Sequence, residues 1–87
     1  SVTLNNETKA NVQFSINDIP LITQSFKGKY YQGRTLTIST NGKNGVWKIV
    51  KQYADKELIE QTEDTDKVVI TADQGTKSIK ITFVSHS

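Results

Sequence analysis

The sequence contains no cysteine, so neither disulfide bonds nor thiolate metal sites can hold the fold together. Its single histidine, His86, is next to the last residue, where chain ends usually fray and a general base is not held in position. Catalytic triads are therefore excluded, and metal sites of the common kinds are reduced to carboxylates alone.

The acidic residues do not form a pattern that predicts catalysis or metal binding either. Paired catalytic acids need two different environments, whereas the acidic residues here crowd one hydrophilic stretch, 55–66. Residues 63–66 could offer oxygens to Ca²⁺, but they lack the spaced ligands, the midway glycine and the closing glutamate of an EF-hand loop. No glycine-rich phosphate-binding fingerprint occurs either. We predict a non-enzymatic protein with no cofactor and no bound metal.

Long apolar runs are also missing. None approaches the ~20 residues that a membrane helix requires, and the N-terminus lacks the charged-then-apolar pattern of a signal peptide, so no membrane insertion is predicted. A chain of 87 residues has room for one hydrophobic core. Because it starts at Ser1 in a strand-like pattern without an initiator Met, we expect residues 1–87 to be a single domain from a longer protein.

The apolar residues that are present alternate with polar ones, which is the pattern of strands with one buried face. Asparagine, aspartate and glycine separate these runs every ~8 to 12 residues, the spacing typical of a sandwich or a barrel. We predict an all-β, antiparallel sandwich of seven to eight short strands. A closed barrel is the alternative arrangement of the same strands. The strands are expected near 2–4, 10–16, 20–25, 35–40, 45–51, 57–62, 67–72 and 78–84.

Three local features refine this prediction. Residues 53–61 are the only helix candidate, but they are uncapped and too short to stand alone. Pro20 is expected to begin a strand or lie on a sheet edge, because it cannot donate to a ladder. Trp47 and Ile49 share one face of their strand, and a large ring near a strand start commonly seals a sandwich. Trp47 is therefore the predicted core anchor.

Charge is segregated along the chain. Residues 19–54 carry basic side chains and no acidic one, whereas residues 55–66 carry six acidic side chains against one lysine. We expect the two segments to face solvent near one another and to offset their charges. Within the basic segment, lysine and arginine residues lie close in sequence to aromatic residues. Surfaces that bind single-stranded nucleic acid combine these residue types, because the cations contact phosphates and the bases stack on the rings. The candidate binding residues are Lys27, Lys29, Tyr30, Tyr31 and Arg34.

Five segments carry a family resemblance: SVTL (1–4), TLTI (35–38), GVWKI (45–49), KVVIT (67–71) and SIKITF (78–83). Their order resembles the immunoglobulin-like modules of bacterial surface proteins and of tailed-phage virions, including capsid-decoration proteins. The paired cysteines of antibody domains are missing. The resemblance implies an immunoglobulin-like sandwich, located on a virion or at the cell surface. It also implies a non-enzymatic role, with weak binding to surfaces or polysaccharides.

Three functions follow from these observations. The leading hypothesis is a display or adhesion module whose partners are a parent capsid, tail or surface protein and a host-cell glycan or protein. The second is a β-barrel that binds single-stranded nucleic acid or another polyanion through residues 27–51, with nucleic acid the less favoured partner. The third is a spacer or docking module with an unpaired edge strand. Lys48, Lys51 and Lys80 are then expected to guard the sheet edges.

Overall fold

The computed structural model describes residues 1–8, 10–29 and 33–86, and in these ranges it contains nine strands and no helix. The all-β prediction is therefore confirmed. The strands are β1 (Val2–Asn6), β2 (Ser15–Ile16), β3 (Ile19–Pro20), β4 (Ser25–Gly28), β5 (Thr35–Ser39), β6 (Gly45–Tyr53), β7 (Ile59–Thr65), β8 (Lys67–Thr71) and β9 (Thr76–Ser85).

The strands form two sheets. Sheet A has five strands in the order β4-β1-β9-β6-β7, and sheet B has four in the order β3-β2-β5-β8. Every neighbouring pair is antiparallel except β1 and β9, which run parallel with Val2 opposite Ile79. The prediction of a purely antiparallel fold is therefore wrong, since sheet A is mixed. No hairpin joins the first strand to the last, so no tight turn imposes an antiparallel arrangement on them.

Inward side chains from both sheets form a single core. The ring of Phe14 lies 6.2 Å from that of Trp47 and 5.7 Å from that of Phe83, in edge-to-face contact with both, and the Trp47 and Phe83 rings are 4.7 Å apart. Such aromatic pairs contribute about 0.5–1.5 kcal/mol each beyond the burial of their area. The core residues are Val2, Leu4, Val12, Phe14, Ile38, Trp47, Ile49, Val68, Ile70, Ala72, Ile79, Ile81 and Phe83.

The predicted strand at 10–16 is mostly irregular, since only Ser15–Ile16 pairs in a ladder. Val12 and Phe14 are nevertheless buried. The side chain of Gln24 takes the place of a partner strand: its Oε1 accepts from the Val12 N–H at 2.8 Å, and its Nε2 donates to the Val12 carbonyl at 2.9 Å. A side-chain amide thus satisfies the backbone, and the segment buries apolar side chains without a ladder.

The predicted strand at 20–25 is divided between the two sheets, which explains why nine strands replace the expected seven to eight. Asn17 and Asp18 form the tight turn between β2 and β3 with φ of 50° and 67°, the left-handed values that such hairpins require. Pro20 ends β3 at the edge of sheet B, in agreement with its predicted edge position. After a break at 21–24, the chain enters sheet A as β4.

The helix candidate at 53–61 is not a helix: β6 continues to Tyr53 and β7 begins at Ile59. The strand β7 also runs through most of residues 63–66, the gap expected between the strands at 57–62 and 67–72, because the nine residues of β6 offer it a complete antiparallel partner. Asp66 alone separates β7 in sheet A from β8 in sheet B. Its carbonyl accepts from the N–H of Thr40 at 2.9 Å, which fixes the crossing point.

Because the described ranges hold strands and loops only, they include no helical segment that could cross a bilayer.

Candidate functional site

The acidic side chains and His86 are the groups of this chain that could hold a metal ion. Within residues 1–8, 10–29 and 33–86, no group of three or more His, Asp or Glu side chains is arranged to hold a metal ion. His86 does have a partner, since its Nε2 lies 2.8 Å from both carboxylate oxygens of Asp64. Both side chains are more than half exposed. An exposed pair of this kind adds little stability, and no third group completes it.

A polar cluster lies where β6 meets the connection between β8 and β9. The Tyr53 hydroxyl donates to Asp73 Oδ2 at 2.9 Å, and the Lys51 ammonium lies 3.7 Å from Asp73 Oδ1. Lys51 also donates to the Thr71 carbonyl at 2.9 Å. The Lys56 ammonium lies 4.4 Å from the centre of the Tyr53 ring, in cation–π geometry.

The cluster shifts the proton affinities of its members in opposite directions. The hydrogen bond from Tyr53 and the charge of Lys51 hold the pKa of Asp73 below its ordinary value. Burial, together with the hydrogen bond to Asp73, raises the pKa of Tyr53. At neutral pH both groups therefore stay in the forms that bond to each other, the phenol and the carboxylate. The cluster connects the end of β6 to the segment between β8 and β9.

The outward side of sheet A carries three lysines, Lys27, Lys48 and Lys80, which we call the lysine face. Lys27 and Lys80 both lie opposite Thr3 in the ladder, so they flank it in one row. Their Cα atoms are about two strand spacings apart, roughly 10 Å. Lys48 lies opposite Thr82, which makes it a diagonal neighbour of Lys80 at about 7–8 Å.

The lysine face contains a shallow open depression of about 200 Å³, lined by Glu7, Lys48, Val50, Lys80 and Thr82. The Lys48 ammonium lies 3.2 Å from a Glu60 carboxylate oxygen on β7, so its charge is partly offset. Lys27 and Lys80 are exposed and form no ion pair with the described residues.

The candidate binding residues from the sequence do not all lie on this face. Lys27 is on β4, Lys29 directly follows that strand, and Arg34 precedes β5; all three are exposed. Tyr30 and Tyr31 fall outside the described residues.

Trp47, the predicted core anchor, is 0% exposed. Its indole Nε1 donates to the Thr65 carbonyl at 2.9 Å, which bonds the ring to the end of β7. The ring is enclosed by other aromatic side chains of the core and offers no surface on which a ligand could stack.

Two lysines of the lysine face were expected elsewhere. The prediction that Lys48, Lys51 and Lys80 guard sheet edges is wrong, because β6 and β9 are interior strands of sheet A. The period-two pattern does indicate that Lys48 and Lys80 point away from the core. It carries no information on which strands are neighbours, and that pairing is what brings the two side chains together.

The expected meeting of basic and acidic segments occurs only in part. Lys48 and Glu60 are in contact where β6 pairs with β7. Lys27 and Lys29 lie at the opposite side of sheet A, where three strands separate β4 from β7. Among the described residues, the acidic segment therefore forms an ion pair with Lys48 of β6 but not with Lys27 of β4.

Comparison with protein families, characterised proteins and solved structures gives no match. The features that bear on function are thus those of the lysine face itself: exposed ammonium groups, threonine hydroxyls between them, and an open depression.

Proposed function

We propose that this protein is a non-enzymatic immunoglobulin-like display or adhesion module of a virion or bacterial surface protein, and that it binds acidic cell-surface glycans across the lysine face. The sandwich part of this proposal is supported by two sheets that share one core around Trp47. The parent protein is a capsid, tail or surface protein. The function requires an exposed binding face and no reactive group.

The observation that carries the binding proposal is the row of exposed lysines across interior and edge strands. Lys27 and Lys80 have no acidic partner among the residues described, so their charges are available to a ligand. An extended polymer lying along the row contacts several ammonium groups at once, and weak contacts on one polymer reinforce each other. The hydroxyls of Thr3 and Thr82, which lie between the lysines, donate to and accept from sugar hydroxyls.

Charge rather than stacking defines the ligand class. Proteins that bind single-stranded nucleic acid stack the bases on exposed aromatic rings. No aromatic side chain belongs to the outward rows of sheet A in the described part of the chain, and Trp47 is enclosed in the core. An acidic polysaccharide needs only cations and hydroxyl partners. This favours a carboxylated or sulfated glycan over nucleic acid as the ligand.

The test compares polymers of different charge by biolayer interferometry. Immobilised protein is exposed to polygalacturonate, dextran sulfate, neutral dextran and oligothymidylate, each at low and at high salt. We expect the acidic polysaccharides to bind, neutral dextran not to bind, and the affinity to fall as salt rises, because the contacts are ionic.

A matched pair of variants locates the site. Lys80→Gln should weaken binding about two- to fivefold, the effect of removing one exposed ionic contact. Lys67→Gln removes the same charge from sheet B and should leave binding unchanged. Binding to neutral dextran as strong as to the acidic polymers, or equal loss in both variants, contradicts the proposal. A clear preference for oligothymidylate supports the nucleic-acid alternative instead.

A further inference from the structure

The two edges of sheet A carry opposite charges. One edge is β4, which contains Lys27 and is followed directly by Lys29. The other edge is β7, which contains Glu60, Glu63 and Asp64. Each of these strands has a neighbour on one side only, so each leaves a row of backbone groups without a strand partner.

The edge strand β7 is exposed to an extent that is unusual for seven residues of strand. Every residue in it is exposed or half-exposed, including Gln61, which points to the inner side of sheet A. Sheet B therefore does not cover β7, and β6 is its only strand partner among the described residues. A long edge strand in this position is open to pairing with another chain.

In antiparallel ladders, successive residues of a strand direct their backbone groups alternately toward one side and the other. This alternation shows which backbone groups of β7 face its free edge. The His86 N–H donates to the Asn44 carbonyl just beyond the β6–β9 ladder, so Val50 and the alternate residues of β6 bond to β9. The intervening residues of β6 then bond to β7. It follows that the backbone N–H and C=O of Glu60, Thr62 and Asp64 point away from the sheet, toward the free edge.

The strand β4 also has backbone groups that face a free edge of sheet A. The Asn6 N–H donates to the Gln24 carbonyl at 3.2 Å, so that pair is hydrogen-bonded and the pairs of β1 with Ser25 and Lys27 are not. The backbone groups of Ser25 and Lys27 therefore also point outward. Both edges of sheet A thus present their backbone groups at the residues whose side chains lie on the outer face.

The two edges are also in register. One row of the sheet runs from Lys27 through Thr3, Lys80 and Val50 to Glu60. A second copy displaced along this row would bring its Lys27 opposite Glu60 of the first. Because β4 is antiparallel to β1 while β7 runs in the same direction as β1, such a displacement places β7 and β4 antiparallel, the more favourable arrangement.

We propose that copies of this chain associate head to tail, with β7 of one copy pairing with β4 of the next so that sheet A continues from copy to copy. Like charges disfavour the two symmetric alternatives, β7 with β7 and β4 with β4. A head-to-tail contact leaves one β4 edge and one β7 edge of a dimer without a strand partner, so further copies add to it. Since β4 has only four residues, the contact is weak and requires a high local concentration.

Sedimentation velocity over a concentration series at low salt measures the association. We expect the average sedimentation coefficient to rise continuously with concentration, without a plateau at a dimer. Raising the ionic strength from about 0.1 M to about 1 M shortens the Debye length from about 10 Å to about 3 Å, so the association should diminish.

Two charge reversals make the test specific to this contact. Lys27→Glu gives a copy whose two edges are both acidic, and Glu60→Lys gives one whose β7 loses its complementary charge, so each variant alone should stay monomeric. An equimolar mixture restores opposite charges at every contact and should associate as the wild type does. Lys67→Glu, which changes the charge of sheet B by the same amount, should associate normally.

Circular dichroism and a thermal melt establish that each variant is folded. Glu60→Lys brings a second ammonium close to Lys48; if it does not fold, the neutral variants Glu60→Gln and Lys27→Gln replace the reversals, and each should reduce association. The proposal is overturned if the wild type remains monomeric at the highest concentration, if the sedimentation coefficient levels off at a dimer, or if the mixture is no more associated than its components.

Discussion

Replacing Trp47 by alanine is expected to remove most of the stability of the fold. The side chain is 0% exposed and contacts the rings of Phe14 and Phe83, so its truncation leaves a large cavity between the sheets. Losses for buried Trp→Ala are about 3–5 kcal/mol. The aromatic contacts and the lost hydrogen bond to the Thr65 carbonyl place this variant near the upper end of that range.

The consequence depends on the total stability, which for most domains is about 5–15 kcal/mol. A domain of 87 residues lies toward the lower part of that range, so Trp47→Ala should be largely unfolded at room temperature in mild denaturant. Trp47→Phe keeps a ring in the core but loses the bond to Thr65, and its cost should be about 1–3 kcal/mol. The order wild type, Trp47→Phe, Trp47→Ala is the expected order of denaturation midpoints.

Urea denaturation followed by far-ultraviolet circular dichroism measures these midpoints in all three proteins. The fluorescence of the wild type gives an independent check, because Trp47 is the only tryptophan and its emission should shift to longer wavelength at the same urea concentration. A loss below about 1 kcal/mol for Trp47→Ala, far below the cost of a large cavity, would contradict a core that depends on Trp47. Emission typical of a solvent-exposed indole in the folded protein would contradict the burial of the ring.

Three further changes should have distinct effects. Gly45→Ala places a Cβ 2.5 Å from a backbone carbonyl of β9, so it should cost about 1–3 kcal/mol or more by thermal melt, whereas Gly28→Ala meets only a movable phenylalanine ring and should cost less. Gln24→Ala leaves the backbone groups of a buried segment without partners and should cost about 2–4 kcal/mol by urea denaturation. The lowered pKa of Asp73 contributes stability that is present above the ordinary value of 3.8 and is lost as pH falls through the folded-state value, so Asp73→Asn should flatten the acid side of a pH titration of the melting temperature. An Asp73→Asn protein with an unchanged acid profile would show that the bond from Tyr53 contributes nothing measurable.

The burial of individual residues could be predicted from the sequence, because successive side chains of a strand point to opposite sides and the apolar ones mark the buried side. Trp47, Ile49, Ile79 and Ile81 are all buried as their spacing indicates. The segment at 10–14 shows the limit of this signal. Val12 and Phe14 are buried there, but the amide that satisfies the backbone of Val12 comes from the side chain of Gln24, which no local pattern predicts.

The pairing of the strands could not be predicted from the sequence, and the direction of the strands and the arrangement of the lysine face depend on that pairing. The polar composition of residues 63–65, at the end of β7, suggests a turn, yet a complete antiparallel partner makes them part of the strand. The parallel pairing of β1 with β9 joins the two ends of the chain, at a sequence separation where no turn residue sets the direction. The lysine face depends on that same pairing. Alternation directs Lys80 outward, but only the order of strands makes Lys27 and Lys48 its neighbours.

Asp66 gives the molecule a mechanical property. With a single residue between β7 and β8, there is no slack in the chain where it passes from one sheet to the other, and the bond from Thr40 holds that residue in place. A tensile load applied to β7 by a neighbouring molecule is therefore carried straight into β8 and its partner β5, instead of being absorbed by an extending loop.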